Sequence, residues 1–541
     1  MSNFAHILND RFSIVAATRD DEYVAQVIST TKTMDSVHNL EDEAILDDFM
    51  GYLSETGVLH SFSTFQASQY QRVMIPFYYF LITYLAKTLL GIKAMKSLPA
   101  LLFSDQGVMR TLGFSAMVLE EGYCNRGAGK RHNDTPPASP FTPQTLAEFM
   151  NKATPQEIEQ LFNTNIANLA ASGAFYQQVT GIIDGTDIET TPNYEGAGKV
   201  MRKKKIHNKK GVREIECVVY GWKAIVLFDQ HTEIPLALKV VPIHEHESKY
   251  TRVLIEQAQR NLGKHSRITQ VLMDRGFLDG TTLYWLDQQK ITFVIPARSN
   301  MDVAQDARDL AQASMGVTDT RQEKQTSGRG KSKTEHILET QVTGVKALTS
   351  YVDYRDPAKP AKQYSKTGGG GCPINAVVIQ RYRNEEIPAD KCPVFLTNSP
   401  VDRPFVPYDA YDGRSLIENL LFREGKQGWN LEHAPTKTAN GMVSHVYFTF
   451  LTIALTTAYR TWCAEQTEEG EESESSNQPS KGIRNWRRRL MQENQDQIIV
   501  FSGPYYGIFH LMTFVQLMGG QVKDQSPRET AVFRQNHHFS P

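Results

Sequence analysis

Cysteine is scarce in this chain. Among 541 residues there are five, at positions 124, 217, 372, 392 and 463, with no Cys-x-x-Cys pair. That excludes a disulfide scaffold and a cysteine-based zinc site, and predicts a reducing, cytosolic setting. Long apolar runs are missing too. Residues 73–86 contain Pro76 and Thr83, and residues 443–459 carry His445 and several threonines. Both fall short of the ~20 apolar residues that span a bilayer and read as buried helices. The first residues lack a basic start followed by an apolar stretch, so no signal peptide is expected and the protein reads as soluble. No charge sign dominates: 58 Lys+Arg against 60 Asp+Glu give a formal net charge of −2. Any nucleic-acid site must therefore come from local clustering. A phosphate loop is absent as well, because Gly330-Lys331-Ser332 has Gln325 where that pattern needs glycine, and the glycine run 368–371 lacks a following Lys-Ser/Thr. His244-Glu245-His246 has no third ligand nearby. No internal repeat is present.

What remains is a globular composition, 40% hydrophobic and 22% charged, in a chain long enough for several domains. Residues 1–135 read as a helical domain. A candidate helix-turn-helix lies at 98–114, with Ser104 as the cap and Gly113 as the stop; an ordinary helical hairpin is the alternative. Residues 126–143 form a Gly/Pro/Ser-rich linker. Thr154, Pro155 and Glu157 make a capping box opening a helix that Gly173 ends. From residue 178 the pattern becomes that of strands at 178–184, 214–229, 235–243, 268–273 and 291–295. Helices at 248–262, with Val253 among its apolar stripe, and 281–289 give the order βββαβαβ over 136–298. Residues 299–407 read as a β-rich insertion, with strands at 336–345, 374–382 and 393–397. A helix returns at 413–424, inside a segment 408–465 that resumes the interrupted domain. Residues 466–482 form an acidic disordered loop, and 483–541 a C-terminal segment with a basic patch at 484–489.

Two strands end in a carboxylate, Asp184 and Asp274. In a sheet where three antiparallel strands precede a right-handed helical crossover, the fourth strand can lie beside and parallel to the first. The two aspartates are then neighbours and repel unless a cation neutralises them. Hard divalent ions with oxygen ligands suit such a pair. A third carboxylate, Glu418, sits four residues after Arg414 at the edge of an amphipathic helix; a surface ion pair is the plain alternative.

These stretches, IIDGTDIETT, VLMDRGF and YDGRSLIENLLFREGK, resemble the three motifs of bacterial insertion-sequence DDE transposases, in the branch with a Tyr-x2-Arg-x3-Glu-x6-Lys signature. The resemblance runs from about residue 178 to 460. It implies an α/β, RNase H-like mixed sheet interrupted by a β-rich insertion, with Asp184, Asp274 and Glu418 as catalytic ligands of two Mg²⁺ or Mn²⁺ ions. Asp187 is a rival to Asp184, which is preferred because it ends the strand and precedes Gly-Thr. Tyr411 and Arg414 would contact DNA or orient the glutamate. The signature lysine is displaced by one, with Gly425 at its place and Lys426 next to it. The implied reaction is hydrolysis at element ends and then 3′-OH strand transfer, since two ions ~3.5–4 Å apart activate one oxygen and stabilise the other. Relatives stack a flipped base on a tryptophan in the insertion; 299–407 has none, leaving Tyr351, Tyr354, Tyr364 or Tyr382.

DNA contacts are expected from the long connection 185–213, which holds Lys199, Arg202, Lys203, Lys204, Lys205, Lys209, Lys210 and Arg213. Arg298, and a cluster at Lys324, Arg329, Lys331 and Lys333, are further candidates. The implied partners are double-stranded DNA, comprising terminal inverted repeats and target, and a second copy in a synaptic homodimer, without a membrane. The implied location is the bacterial cytoplasm, at the nucleoid. The rivals are an RNase H-like nuclease without strand transfer and a catalytically silent transposase-derived DNA-binding protein.

Overall fold

The computed structural model describes residues 17–40, 43–123, 139–208, 211–327, 334–359, 370–468 and 494–520. Most of the linker 126–143, Lys209 and Lys210, Arg329, Lys331 and Lys333, Tyr364, nearly all of the acidic loop, the basic patch at 484–489 and His537-His538 lie outside them. The chain forms two compact units: Leu169–Arg423, and Met1–Asn168 with Glu424–Pro541. Their boundary falls inside the segment 408–465.

The unit Leu169–Arg423 is built on one sheet of eleven strands among the described residues. They are β1 (Gln178–Thr190), β2 (Gly198–Asn208), β3 (Gly211–Asp229), β4 (Pro235–Pro242), β5 (Arg267–Met273), β6 (Thr292–Pro296), β7 (Val317–Ser327), β8 (Thr334–Leu348), β9 (Ile374–Tyr382), β10 (Glu385–Glu386) and β11 (Val394–Thr397). The order is β2-β3-β1-β5-β6-β11-β9-β8-β7, with β4 on β3 and β10 on β9. Three antiparallel strands, β1, β3 and β4, precede β5 and β6, which run parallel to β1. That is the expected RNase H-like arrangement. Val179, Ile182, Ile183 and Ile188 of β1 and Val271 to Met273 of β5 are fully buried, as suits strands covered on both faces. Helices α1 (Thr251–Leu262), α2 (Gly280–Gln288) and α3 (Asp302–Gln312) flank the sheet. In α1 the buried stripe is Leu254, Ile255, Ala258 and Leu262, and Val253 lies outside it, 40% exposed.

One expectation is corrected. The connection 185–213 is not a loop: β1 extends to Thr190, and β2 and the first half of β3 form a hairpin. The insertion is β-rich as expected, and its strands join the main sheet: β11 pairs antiparallel with β6 and carries that sheet outward. Lys324 stands in a strand too, β7.

The second unit is mainly helical. Phe77–Leu89 is buried along its whole length, and the 18-residue apolar window within Ala439–Ala464 is entirely buried too. Both are core helices. The capping box forms as expected: Glu157 Oε2 accepts from Thr154 N–H (2.9 Å), and Thr154 Oγ1 from Glu157 N–H (3.3 Å). The helix-turn-helix does not form. Residues 99–111 hold a π-helical turn, Pro99–Phe103, and a six-residue helix, Gln106–Thr111, capped by Asp105 and not Ser104. Strands Gln497–Ser502 and Tyr505–His510 pair with Ser36–Asn39 and Thr18–Arg19, so the two ends of the chain share a small sheet.

His445 anchors the core of this unit. Its Nε2 donates to the Asn430 carbonyl (3.0 Å), which leaves Nδ1 to accept from the Tyr84 hydroxyl (2.7 Å). Burial, with the neighbouring Lys87 charge, pushes its pKa down to about 3. The unfolded chain takes up this proton near the ordinary value of about 6.5, the folded chain only near 3. The contribution is therefore complete above pH 6.5 and is lost as the pH falls towards 3. His445→Gln, which keeps one donor and one acceptor but does not titrate, is expected to shrink the fall in Tm between pH 7 and pH 4. An unchanged acid limb in calorimetry would contradict this account.

Candidate active site

The parallel pairing of β1 with β5 ends at Ile183 opposite Met273. Asp184 and Asp274 each come one residue later, so their side chains start from adjacent points at one edge of the sheet. β1 itself does not end at Asp184, contrary to expectation; there it still pairs with β3, opposite Val226. What stops is its parallel neighbour. The Asp274 carbonyl accepts from Phe277 N–H (3.0 Å) to start the turn Arg275–Phe277, leaving its carboxylate out of the cap.

The third carboxylate comes from the segment just after α4 (Phe405–Asp412). The expected helix over 413–424 forms after a turn at Gly413 and Arg414, and its middle, Ile417–Phe422, is π-helical before it continues as Arg423–Gln427. Ile417, Leu421 and Phe422 are buried and fix its inner face, while Glu418 is 54% exposed. The Gln230 amide packs against Gly413, where a Cβ would require that side chain to move.

Arg414 joins the parts. Its Nη1 lies 2.8 Å from Asp184 Oδ2 and its Nη2 2.8 Å from Glu418 Oε1. The guanidinium sits 5.7 Å from the Tyr411 ring centroid, and that ring packs against Phe395 of β11 at 4.4 Å. Burial pushes the Tyr411 phenol up to about 12. Asp184 is pushed up to about 7, first by burial. The Gly185 N–H, donating to Oδ1 at 2.7 Å, and Arg414 pull the other way, while Glu418 and Asp274 add repulsion. The charges of all three carboxylates are thus felt at one place. Among the described residues no group of three or more His, Cys, Asp or Glu side chains is placed to hold a metal ion; Arg414 stands between Asp184 and Glu418.

Other candidates fall elsewhere. Asp187 projects from the opposite face of β1 and pairs with Arg202 of β2, which leaves Asp184 as the aspartate beside Asp274. Lys203 lies 3.9 Å from Glu216. Lys204 and Lys205 stand in β2 opposite Ile215 and Glu214. Arg298 opens the turn after β6, its N–H donating to Met301 Sδ (3.4 Å), with its charge felt at Tyr351. Lys426 belongs to the other unit, where it pairs with Glu432 (3.2 Å). Tyr351 and Tyr354 are buried; Tyr382 is 45% exposed. Three contributors carry no sequence signal: Phe395, and the pair Glu247–Lys223 (3.7 Å). The Glu247 carboxylate abuts Gly185 so closely that a Cβ there would strike it.

The chain matches the family model described as the transposase DDE domain over residues 176–455. No curated protein matches it. Among solved structures it is similar to a piggyBac transposase, in a cryo-EM synaptic complex with hairpin DNA. The identity is 11% and the TM-score 0.37, over 93% of this chain and 87% of that one. The family match takes in more than half of the 541 residues and contains Asp184, Asp274 and Glu418. The chain belongs to the DDE transposases, enzymes that act on DNA with the help of divalent metal ions.

Proposed function

We propose that this transposase serves a bacterial insertion sequence, working in the cytoplasm as a homodimer that holds two element ends. Asp184, Asp274 and Glu418 are its catalytic residues and would hold two Mg²⁺ or Mn²⁺ ions. The donor chemistry fits: three carboxylates offer only hard oxygen ligands. Asp184, raised to about 7 by burial and like charge, calls for a cation, and the Arg414 guanidinium already stands in for one between two of the three. When bound, such ions activate an attacking oxygen and stabilise the leaving one, first for hydrolysis at the element end and then for transfer of the 3′-OH to target DNA. The chain's own contribution is placement. The strand pair β1–β5 fixes the two aspartates, α4 and the π-helical segment bring Glu418, and Tyr411 on Phe395 supports Arg414. Arg414 has a planar fork suited equally to carboxylate and phosphate. The observation that carries the proposal is the linkage of Asp184, itself beside Asp274, to Glu418 through Arg414.

Asp184→Asn, Asp274→Asn and Glu418→Gln are each expected to abolish end cleavage, by more than the ~10–100-fold that changes to outer supporting residues cost, while DNA binding persists. Unchanged activity would identify a catalytically silent binding protein. Pre-cleaved ends offered with target DNA should yield joined products; hydrolysis alone would make the enzyme a nuclease. Arg414→Gln is expected to destabilise the metal-free protein by about 1–2 kcal/mol, a figure reduced because Glu418 is half exposed. Millimolar MgCl₂ should then raise the Tm of Arg414→Gln more than that of the parent. Equal shifts would show that Arg414 does not share its place with a metal.

A further inference from the structure

The hairpin of β2 and β3 reaches beyond the sheet that carries it. β1 pairs with β3 as far as Tyr220, and β4 as far as Trp222. Outward of these, residues 211–219 of β3 pair only with β2, in unbroken register from Gly198 opposite Gly221 to Asn208 opposite Gly211. Nine residues at ~3.4 Å each make a two-stranded ribbon about 30 Å long.

Its two faces differ. Directly opposed residues share a face, so Val200, Arg202, Cys217 and Val219 lie together. This side is partly covered: Val219 is buried and Arg202 pairs with Asp187. The other face carries Lys199, Met201 and Lys203 opposite Tyr220, Val218 and Glu216. Here the cross-strand pair Met201 and Val218 is 64% and 49% exposed, unusual for apolar side chains flanked by lysines. Glu216 offsets one charge. The balance is nonetheless positive, because residues 199–219 hold eight Lys and Arg against two acids, Glu214 and Glu216, in a chain whose net charge is −2.

We propose that this ribbon lies in the major groove of the DNA whose end occupies the carboxylate site. A major groove about 12 Å wide admits a two-stranded ribbon, offers phosphates on both walls to lysines, and presents thymine methyls to apolar side chains. The ribbon leaves the sheet from the edge that bears Asp184. Val226, opposite Asp184, and Val219 are seven residues apart along β3, ~24 Å at strand rise. The ribbon thus covers roughly 25 to 55 Å from the carboxylates, or about 7 to 16 base pairs inward from the cleaved bond at ~3.4 Å each. The inference rests on the carboxylates being the cleavage site.

The test uses the full-length protein with duplexes from the DNA flanking its coding sequence, one of about 30 base pairs and one of about 6, which ends short of the ribbon. The variants are the double substitution K199E/K203E and the milder K199Q/K203Q, both at exposed positions. Affinity for the long duplex should fall about tenfold or more in the charge-reversed variant, with the salt slope reduced by about 2, while the short duplex binds as before. Methylation of guanine N7 in the window of 7 to 16 base pairs should interfere with binding of the parent and not of the variant. Unchanged affinity for the long duplex, equal loss on both duplexes, or loss of the dimer by mass measurement would each overturn the proposal, the last by reassigning the ribbon to a contact between copies. Failure of the catalytic reading looks different: the parent would show the ribbon's footprint and leave the DNA uncut.

Discussion

Negative charge held where water is scarce governs this site. Asp184 and Asp274 stand side by side because β1 and β5 are parallel and their pairing stops at Ile183 and Met273. Burial and repulsion together raise Asp184 to about 7, which disfavours the very form that binds a cation. Such an arrangement is stable only with compensation, and Arg414 supplies it by spanning Asp184 and Glu418. Sites that concentrate like charge commonly lower stability in return for function. Here the cost is contained by the Gly185 N–H and by a guanidinium whose position depends on the elements around it.

That dependence gives the insertion a structural role in the site. β11 continues the sheet from β6 and delivers Phe395 beneath Tyr411, the ring beside Arg414. From the far edge, Arg321 of β7 forms two 2.8 Å bonds to Asp409 of α4 and lies 4.1 Å from the Phe405 ring centroid. The helix that precedes Arg414 is therefore gripped from two strands of the insertion. On the opposite face of β1, Glu247 and Lys223 fill the space that Gly185 leaves open. Residues far apart in sequence, Arg321 and Phe395, thus converge on the helix that precedes Arg414.

Much of this was legible in the sequence. The handedness of the crossover placed β5 beside β1, and the i, i+4 spacing paired Arg414 with Glu418. The capping box at Thr154 formed as written. What was missed shares a physical character. β2 and β7 are strands of polar residues, without the alternation that burial imposes on one face; their partners, not their own side chains, hold them extended. Ser104 and Asp105 are adjacent capping residues, and a one-residue choice decided the wrong start. The π-helical turn around Glu418 alters the phase of hydrogen bonding without altering the spacing of apolar positions, so periodicity reads through it as α-helix. Pairing of Ser36–Asn39 with Gln497–Ser502 joins segments separated by most of the chain, and no local pattern encodes it.

The balance of formal charge explains why metal and DNA belong together at such a site. With every carboxylate charged, the three and Arg414 carry a formal sum of −2, which would repel a phosphodiester. Two divalent ions would turn that sum to +2, which attracts one. An intermediate charge state is available in the meantime, because Asp184 titrates near neutrality and can hold a proton while the ions are away. Were metal ions to occupy its carboxylates, the planar fork of Arg414 would suit a backbone phosphate equally well. A basic ribbon tens of ångströms away fits this scheme, since it holds the duplex by charge that does not depend on the state of the carboxylates. Binding along the duplex is then separable from commitment at its end, and only the latter waits for the metal.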